Sequence, residues 1–306
     1  MNLIVDINPF LIKNYEIPIF SADRPVYAEN IYEDINENGI NAFRILNMFD
    51  VRNKIFTFLG GSTGSDYLEI LKSEALDYDV FRLRDKTVEK LEIHDKSRNL
   101  NVFTNTPRIT NEEFRDIYSR FSDAISEKEF IVLTESNGVS YEEEVYSNFI
   151  NMAYKAGIPI GISANKNNVK KIVENKPYIL VLDKESLEEY SETQVNFNWE
   201  ISKVCKGLLN SGVGKVIYYN PKGNLQMFTK THVYTTNGEE SFYNPNYKDR
   251  ILSGYVAALN KNYEEEMRLS IALAVTGIEL KRETLKRDAS QVKNLMKNII
   301  VEKVNA

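Results

Sequence analysis

The sequence predicts an α/β protein with a mostly parallel sheet, and three observations carry that prediction. Between Asn111 and Tyr219, short apolar runs alternate with amphipathic helical patterns, the signature of right-handed βαβ units. The chain has 306 residues, enough to bury a large core, and no Pro- or Ser-rich linker divides it, so one domain spanning 1–306 is expected. Near the amino end, extended segments around Tyr15–Ile31 and Thr87–Phe103 alternate like strands. They predict a small β excursion over about 12–34 and 86–104, inserted in the main domain.

Composition excludes several function classes. The net charge of −6 and a pI near 5.3, with lysines scattered outside one basic C-terminal segment, leave no electrostatic footprint for nucleic acid. No apolar run reaches membrane-spanning length and no signal-peptide pattern is present, so no membrane partner and a cytoplasmic location are expected. The single cysteine, Cys205, has no partner for a disulfide within the chain. It lies in the helical pattern Trp199–Leu209 and reads as a buried structural thiol rather than a nucleophile. His94 and His232 are too far apart in sequence to form a zinc motif.

In chain order, the apolar run Asn2–Ile7 ends at Asn8-Pro9 and reads as a strand entering a turn. Asn38–Phe49 is helical, Lys54–Leu59 is a strand, and Gly60-Gly61-Ser62-Thr63-Gly64 opens a second helix through Leu76. That glycine cluster has two readings: a tight packing turn, or backbone N–H groups at a helix N-terminus that hold an anion. Then follow helix Glu112–Ile125, strand Glu129–Thr134, helix Tyr141–Ala156, strand Ile158–Ile162 and helix Asn167–Glu174. Strand Tyr178–Leu182, helices Lys184–Tyr190 and Asn198–Asn210, and strand Lys215–Tyr219 complete the alternation. Strands near Leu225–Phe228 and His232–Thr235 precede helices Asp249–Leu259, Tyr263–Ile278 and about Ala289–Ile300. In such a sheet ligands lie outside the carboxyl ends of the strands, where Asp249 is expected. The run Lys281–Asp288 reads as a solvated charged segment.

Asn8-Pro9, Gly39-Ile40-Asn41, Phe58-Leu59-Gly60-Gly61-Ser62-Thr63-Gly64, Lys176-Pro177-Tyr178, Asp249 and the helix Glu264–Gly277 follow one another in a familiar order and spacing. The pattern resembles the PfkB (ribokinase-like) carbohydrate kinases, closest to the branch of 1-phosphofructokinases and tagatose-6-phosphate kinases. That resemblance implies a ribokinase-like three-layer α/β/α sandwich with a small β-sheet lid. It implies ATP-dependent phosphorylation of a phosphosugar, with ATP and Mg²⁺, a sugar or sugar phosphate as ligand, and a homodimer through the lid strands. It also assigns roles. Asp249 takes the place of the catalytic base, with Asn246 and Lys248 in the anion hole before it. Asn220 and Gly223 fall in the second phosphate-binding turn, Asp183 in the nucleotide and metal network, and Asn38, Gly39 and Asn41 in the substrate signature.

The departures from that pattern are specific. Asn246, Tyr247 and Lys248 replace the anion-hole glycines, and a left-handed backbone costs Tyr or Lys roughly 1–2 kcal/mol each. Tyr218-Tyr219-Asn220-Pro221-Lys222-Gly223 keeps only the last glycine of the second turn, and Asp183 and Ser186 replace the Asn and Glu of the metal network. On the sugar side Ile12 replaces an acid, Asn36-Glu37-Asn38 a Gly-Gly-Lys, and Val88 the lid arginine. Glu37 and Glu89 would repel a phosphate, while Arg82, Arg84 and Lys90 are available near the lid to attract one. Asp249 suits a general base, yet Asp is equally at home as a helix N-cap. Three readings therefore stand: a phosphosugar kinase; a PfkB-fold protein with impaired or lost phosphoryl transfer kept for binding or regulation; and a cleft for another ligand lined by Tyr218, Tyr219, Tyr243 and Tyr247.

Overall fold

The strand Asn2–Asp6 (β1) is buried along its whole length, and its side chains divide between two hydrophobic layers, Ile4 in one and Leu3 and Val5 in the other. A strand buried on both faces requires cover on both sides, which fixes the architecture. The computed structural model describes residues 1–21, 23–74, 76–134, 143–220, 224–237, 247–280 and 289–306. After β1 come β2 (Phe10–Glu16), β3 (Asn30–Ile35), α1 (Asn38–Met48), β4 (Asn53–Gly60), α2 (Gly61–Ser73) and β5 (Tyr78–Leu83). They are followed by β6 (Val88–His94), β7 (Asn99–Phe103), α3 (Asn111–Ile125), β8 (Ile131–Thr134), α4 (Glu143–Lys155), β9 (Ile160–Ser163) and α5 (Val169–Glu174). Next are β10 (Ile179–Leu182), α6 (Lys184–Ser191), α7 (Asn198–Asn210), β11 (Lys215–Asn220), β12 (Asn224–Phe228) and β13 (His232–Thr236). The described chain closes with α8 (Tyr247–Asn260), α9 (Glu265–Ala274), α10 (Ser290–Met296) and β14 (Val301–Asn305).

Ten strands form one sheet in the order β14-β13-β12-β11-β10-β9-β8-β1-β4-β5. From β5 to β11 every neighbouring pair is parallel, and β12, β13 and β14 extend the sheet by antiparallel pairing. Residues of α1, α2, α8, α9 and α10 share one hydrophobic layer; those of α3, α4, α5, α6 and α7 share the other. The result is the expected three-layer α/β/α sandwich. A separate four-stranded sheet, β3-β2-β6-β7, stands beside it and joins the core through Leu11 and Ile35.

Three elements differ from the sequence reading. Tyr78–Leu83, given no element by its pattern, is the edge strand β5 of the main sheet. The last helix stops at Met296, and Val301–Asn305 pairs with β13 as a further strand. Helix α2 stops at Ser73 because Glu74, its C-cap, is buried and turned toward Arg44 of α1, whose Nη2 donates to both carboxylate oxygens at 2.8 and 2.6 Å. The Gly60–Gly64 junction is a packing turn. Gly60 donates its N–H to Thr87 Oγ1 and accepts the Thr87 N–H, both at 2.9 Å.

Candidate functional site

Parallel strands deliver their carboxyl ends to one edge, and there β9, β10 and β11 meet the amino end of α8. Asp183 follows β10 and caps α6. Its Oδ1 accepts the Ser186 N–H at 2.9 Å and the Ser186 hydroxyl at 2.7 Å. Its Oδ2 accepts the Tyr247 hydroxyl at 2.8 Å and lies 3.1 Å from Lys248 Nζ. Lys248 also donates to the carbonyl of Ala164, just past β9, at 2.8 Å. The Tyr247 ring packs on Tyr219 with centroids 4.1 Å apart. Burial works to raise the Asp183 pKa, but Lys248, Ser186 and Tyr247 outweigh it and hold the carboxyl below its usual range. Among the described residues no group of three or more His, Cys, Asp or Glu converges as a metal site.

Asp249 is the third residue of α8, not its N-cap, because the helix begins at Tyr247. It is 3% exposed, and the positive end of the helix dipole favours its charge. Its carbonyl accepts the Ser253 hydroxyl at 2.6 Å. Arg250 beside it is buried and donates Nη1 to the carbonyl of Ile278 at 2.7 Å, which ties α8 to the segment after α9.

The other half of the edge is built from β1 and the amino end of α1. Asn38, Gly39 and Asn41 are all buried there. Asp6, the last residue of β1, is 1% exposed and accepts the backbone N–H groups of Asn8 and Gly39. A Cβ on Gly39 would lie 2.7 Å from Asp6 Oδ2, so only glycine lets α1 come this close. Among the described residues Asp6 Oδ1 has no hydrogen-bond partner, and burial pushes the carboxyl up to about 6. Asn41 Oδ1 accepts from Arg44 Nη1 at 3.2 Å, and its buried Nδ2 has no hydrogen-bond partner among the described residues. Arg44 is fully buried and also bonds Glu37 at 2.9 Å. The sequence reading missed Asp6, Arg44 and Glu74. The one signal for Asp6 was an acid closing an otherwise apolar strand.

Several expectations change. Glu37 is paired with Arg44, and Glu89 lies 3.2 Å from Lys13, so neither stands as a bare negative charge. Arg82 belongs to β5, Arg84 pairs with Glu112 of α3, and Lys90 pairs with Glu92, so none of the three is an uncommitted lid cation. Tyr218 and Tyr219 point to opposite layers of the sandwich, as neighbours on a strand must, and only Tyr219 meets Tyr247. Asn220 ends β11 and pairs with Asn224 across a hairpin. Gly223, Pro221, Lys222, Tyr243, Asn246 and the run 281–288 lie outside the described residues. Cys205 is fully buried, and burial pushes its thiol up, which suits a structural role.

No protein-family profile matches the chain. Against curated proteins it is 23% identical over 239 residues to a 1-phosphofructokinase of Bacillus subtilis, covering 76% of this chain and 78% of that one. Its fold matches a provisionally named phosphofructokinase of Staphylococcus aureus with a TM-score of 0.83 at 18% identity over 100% of both chains. It also matches the tetrameric inhibited form of phosphofructokinase-2 of Escherichia coli, with a TM-score of 0.80 at 14% identity over 97% of this chain and 98% of that one. The chain has the ribokinase-like fold of these phosphofructokinases. In this ribokinase-like chain the β3-β2-β6-β7 sheet is the small sheet expected from the resemblance, and β1 with α1 and β9 to β11 with α8 form the two halves of the strand edge. No described helix is long and apolar enough to cross a membrane.

Proposed function

We propose that the protein is a sugar-phosphate kinase of the 1-phosphofructokinase and tagatose-6-phosphate kinase type, with Asp249 as its base. The observation that carries this reading is the buried Asp249 in the first turn of α8, at the carboxyl edge of a sheet whose order and helices match the kinases. In the proposed reaction the acceptor hydroxyl oxygen attacks the γ-phosphorus of ATP. The new O–P bond forms as the bond to the bridging oxygen of ADP breaks, and Asp249 takes the hydroxyl proton. Asn38, Gly39 and Asn41 hold the sugar side, where the free Nδ2 of Asn41 is a donor for a substrate oxygen. Lys248 and Asn220 serve the phosphates, and the resemblance gives Asn246 and Gly223 the same role. The three hydrogen bonds and the Lys248 ammonium already on Asp183 do not fit a metal ligand, so no step is routed through a divalent ion held there. A homodimer through the small sheet and a cytoplasmic location belong to the same reading.

A second reading, a fold kept for binding or regulation with little or no turnover, is favoured by that same commitment of Asp183 and by the replaced glycines. ATP consumption with fructose 1-phosphate, fructose 6-phosphate and tagatose 6-phosphate separates the two. Turnover that falls roughly a hundredfold or more in Asp249→Asn supports the kinase. Absence of turnover above that variant, with no heat of ATP binding, leaves the second reading.

A further inference from the structure

We propose that Lys248 is a built-in cation that occupies, at Asp183, the place of an exchangeable divalent metal. The inference rests on the reading of this edge as the phosphate end of a kinase-like cleft. A carboxylate offers about four lone-pair positions on its two oxygens. At Asp183 the chain itself supplies three hydrogen-bond donors, the Ser186 N–H and hydroxyl on Oδ1 and the Tyr247 hydroxyl on Oδ2, and sets the Lys248 ammonium 3.1 Å from Oδ2 as an ion pair. A divalent ion bound here needs at least one of those oxygens, and Mg²⁺ demands near-ideal octahedral oxygen geometry. It would have to displace an ammonium whose side chain is only 14% exposed and which is anchored a second time on the Ala164 carbonyl.

The geometry gives Lys248 a positive task as well. The ammonium donates to the Ala164 carbonyl and is ion-paired with Asp183, and among the described residues it makes no other hydrogen bond. Because Lys248 immediately precedes Asp249, the charge is held beside the candidate base by the same helical turn. The ammonium is therefore a fixed single charge where a metal would bring an exchangeable double one. An ammonium has three N–H groups, so beyond its bond to Ala164 it retains donor capacity for a phosphate oxygen.

The test is Mn²⁺ binding, followed by electron paramagnetic resonance of the free ion, without sugar or nucleotide. It is run on the natural protein, Asp183→Asn, Lys248→Met and the double variant. The expected result is that the natural protein and Asp183→Asn bind Mn²⁺ alike, while Lys248→Met gains one site that the double variant loses. A site in the natural protein that Asp183→Asn removes would overturn the proposal; so would a folded Lys248→Met without the extra site. Should Lys248→Met not fold, reductive methylation of the natural protein, read by mass spectrometry, decides. Lys248 should label at the same slow rate with and without millimolar Mg²⁺. A several-fold faster labelling of Lys248 on adding Mg²⁺, with Lys215 unchanged, would show that metal displaces it. None of these readouts needs turnover, so a protein that fails as a kinase can still pass or fail here.

Discussion

Ionising Asp6 inside the protein has a cost that solution conditions can turn on and off. Its folded pKa of about 6 lies above the ordinary value of 3.8, so the folded state holds the proton more tightly than the unfolded state does. Stability is then greatest below the ordinary value and falls as pH rises through the window between the two. A displacement of this size is worth up to about 3 kcal/mol. Asp6→Asn keeps an oxygen for the N–H groups of Asn8 and Gly39 but removes the charge. It should raise the melting temperature near neutral pH and leave it nearly unchanged at strongly acidic pH. A difference that stays constant across that range would mean that charge is not the cost. The position of Asp249 in a helix at the strand edge was legible from its flanking pattern. The state of Asp6 was not, because its burial depends on Gly39 arriving from another element, and no local pattern encodes that approach.

Helix α8 carries Tyr247, Lys248, Asp249 and Arg250 in a single turn, so its seat against α9 sets where all four sit. That seat depends on Gly254. A Cβ there would lie 2.6 Å from Val275 Cγ2 and 3.1 Å from Ala272 Cα, a backbone atom that cannot rotate away. Gly254→Ala should therefore destabilise by about 1–3 kcal/mol, seen as a lower urea midpoint with an unchanged slope. Helices of this kind were legible because their apolar residues recur with the helical period. Their ends were not, as the start of α8 at Tyr247 and the end of α2 before Glu74 show. Strand β14 escaped for a different reason: Glu302, Lys303, Val304 and Asn305 are exposed, so it has no buried face to impose alternation on the sequence. It exists because β13 offers it an edge.

At the scale of the molecule, the parallel sheet was legible because every βαβ unit repeats the same alternation. The small sheet was legible as strands but not as a surface. One of its faces carries Ile31, Tyr15, Ile93 and Leu100 in a continuous cross-strand row, and Ile31 and Leu100 are 63% and 47% exposed. Leu91 and the exposed Val102 pair in the adjoining row. An apolar sheet face of this kind is a liability unless covered. The proposed homodimer covers it. Light scattering at micromolar concentration should give twice the chain mass, and Ile31→Lys should return it to a single chain with its melting temperature little changed. A natural protein that scatters as a monomer would remove the dimer.

The bond from Lys248 to Ala164 and its ion pair with Asp183 gather the ends of two strands and the start of a helix onto one amine. A loosely held ion in that place would leave with a chelator and return with the buffer, so the state of the cleft would follow the medium. An amine on the chain does neither. Dialysis against EDTA leaves it in place, and cyanate accumulating in aged urea can take its charge away for good. On the proposal above, the side chain at position 248, and not the supply of magnesium, decides whether Asp183 is open to a metal.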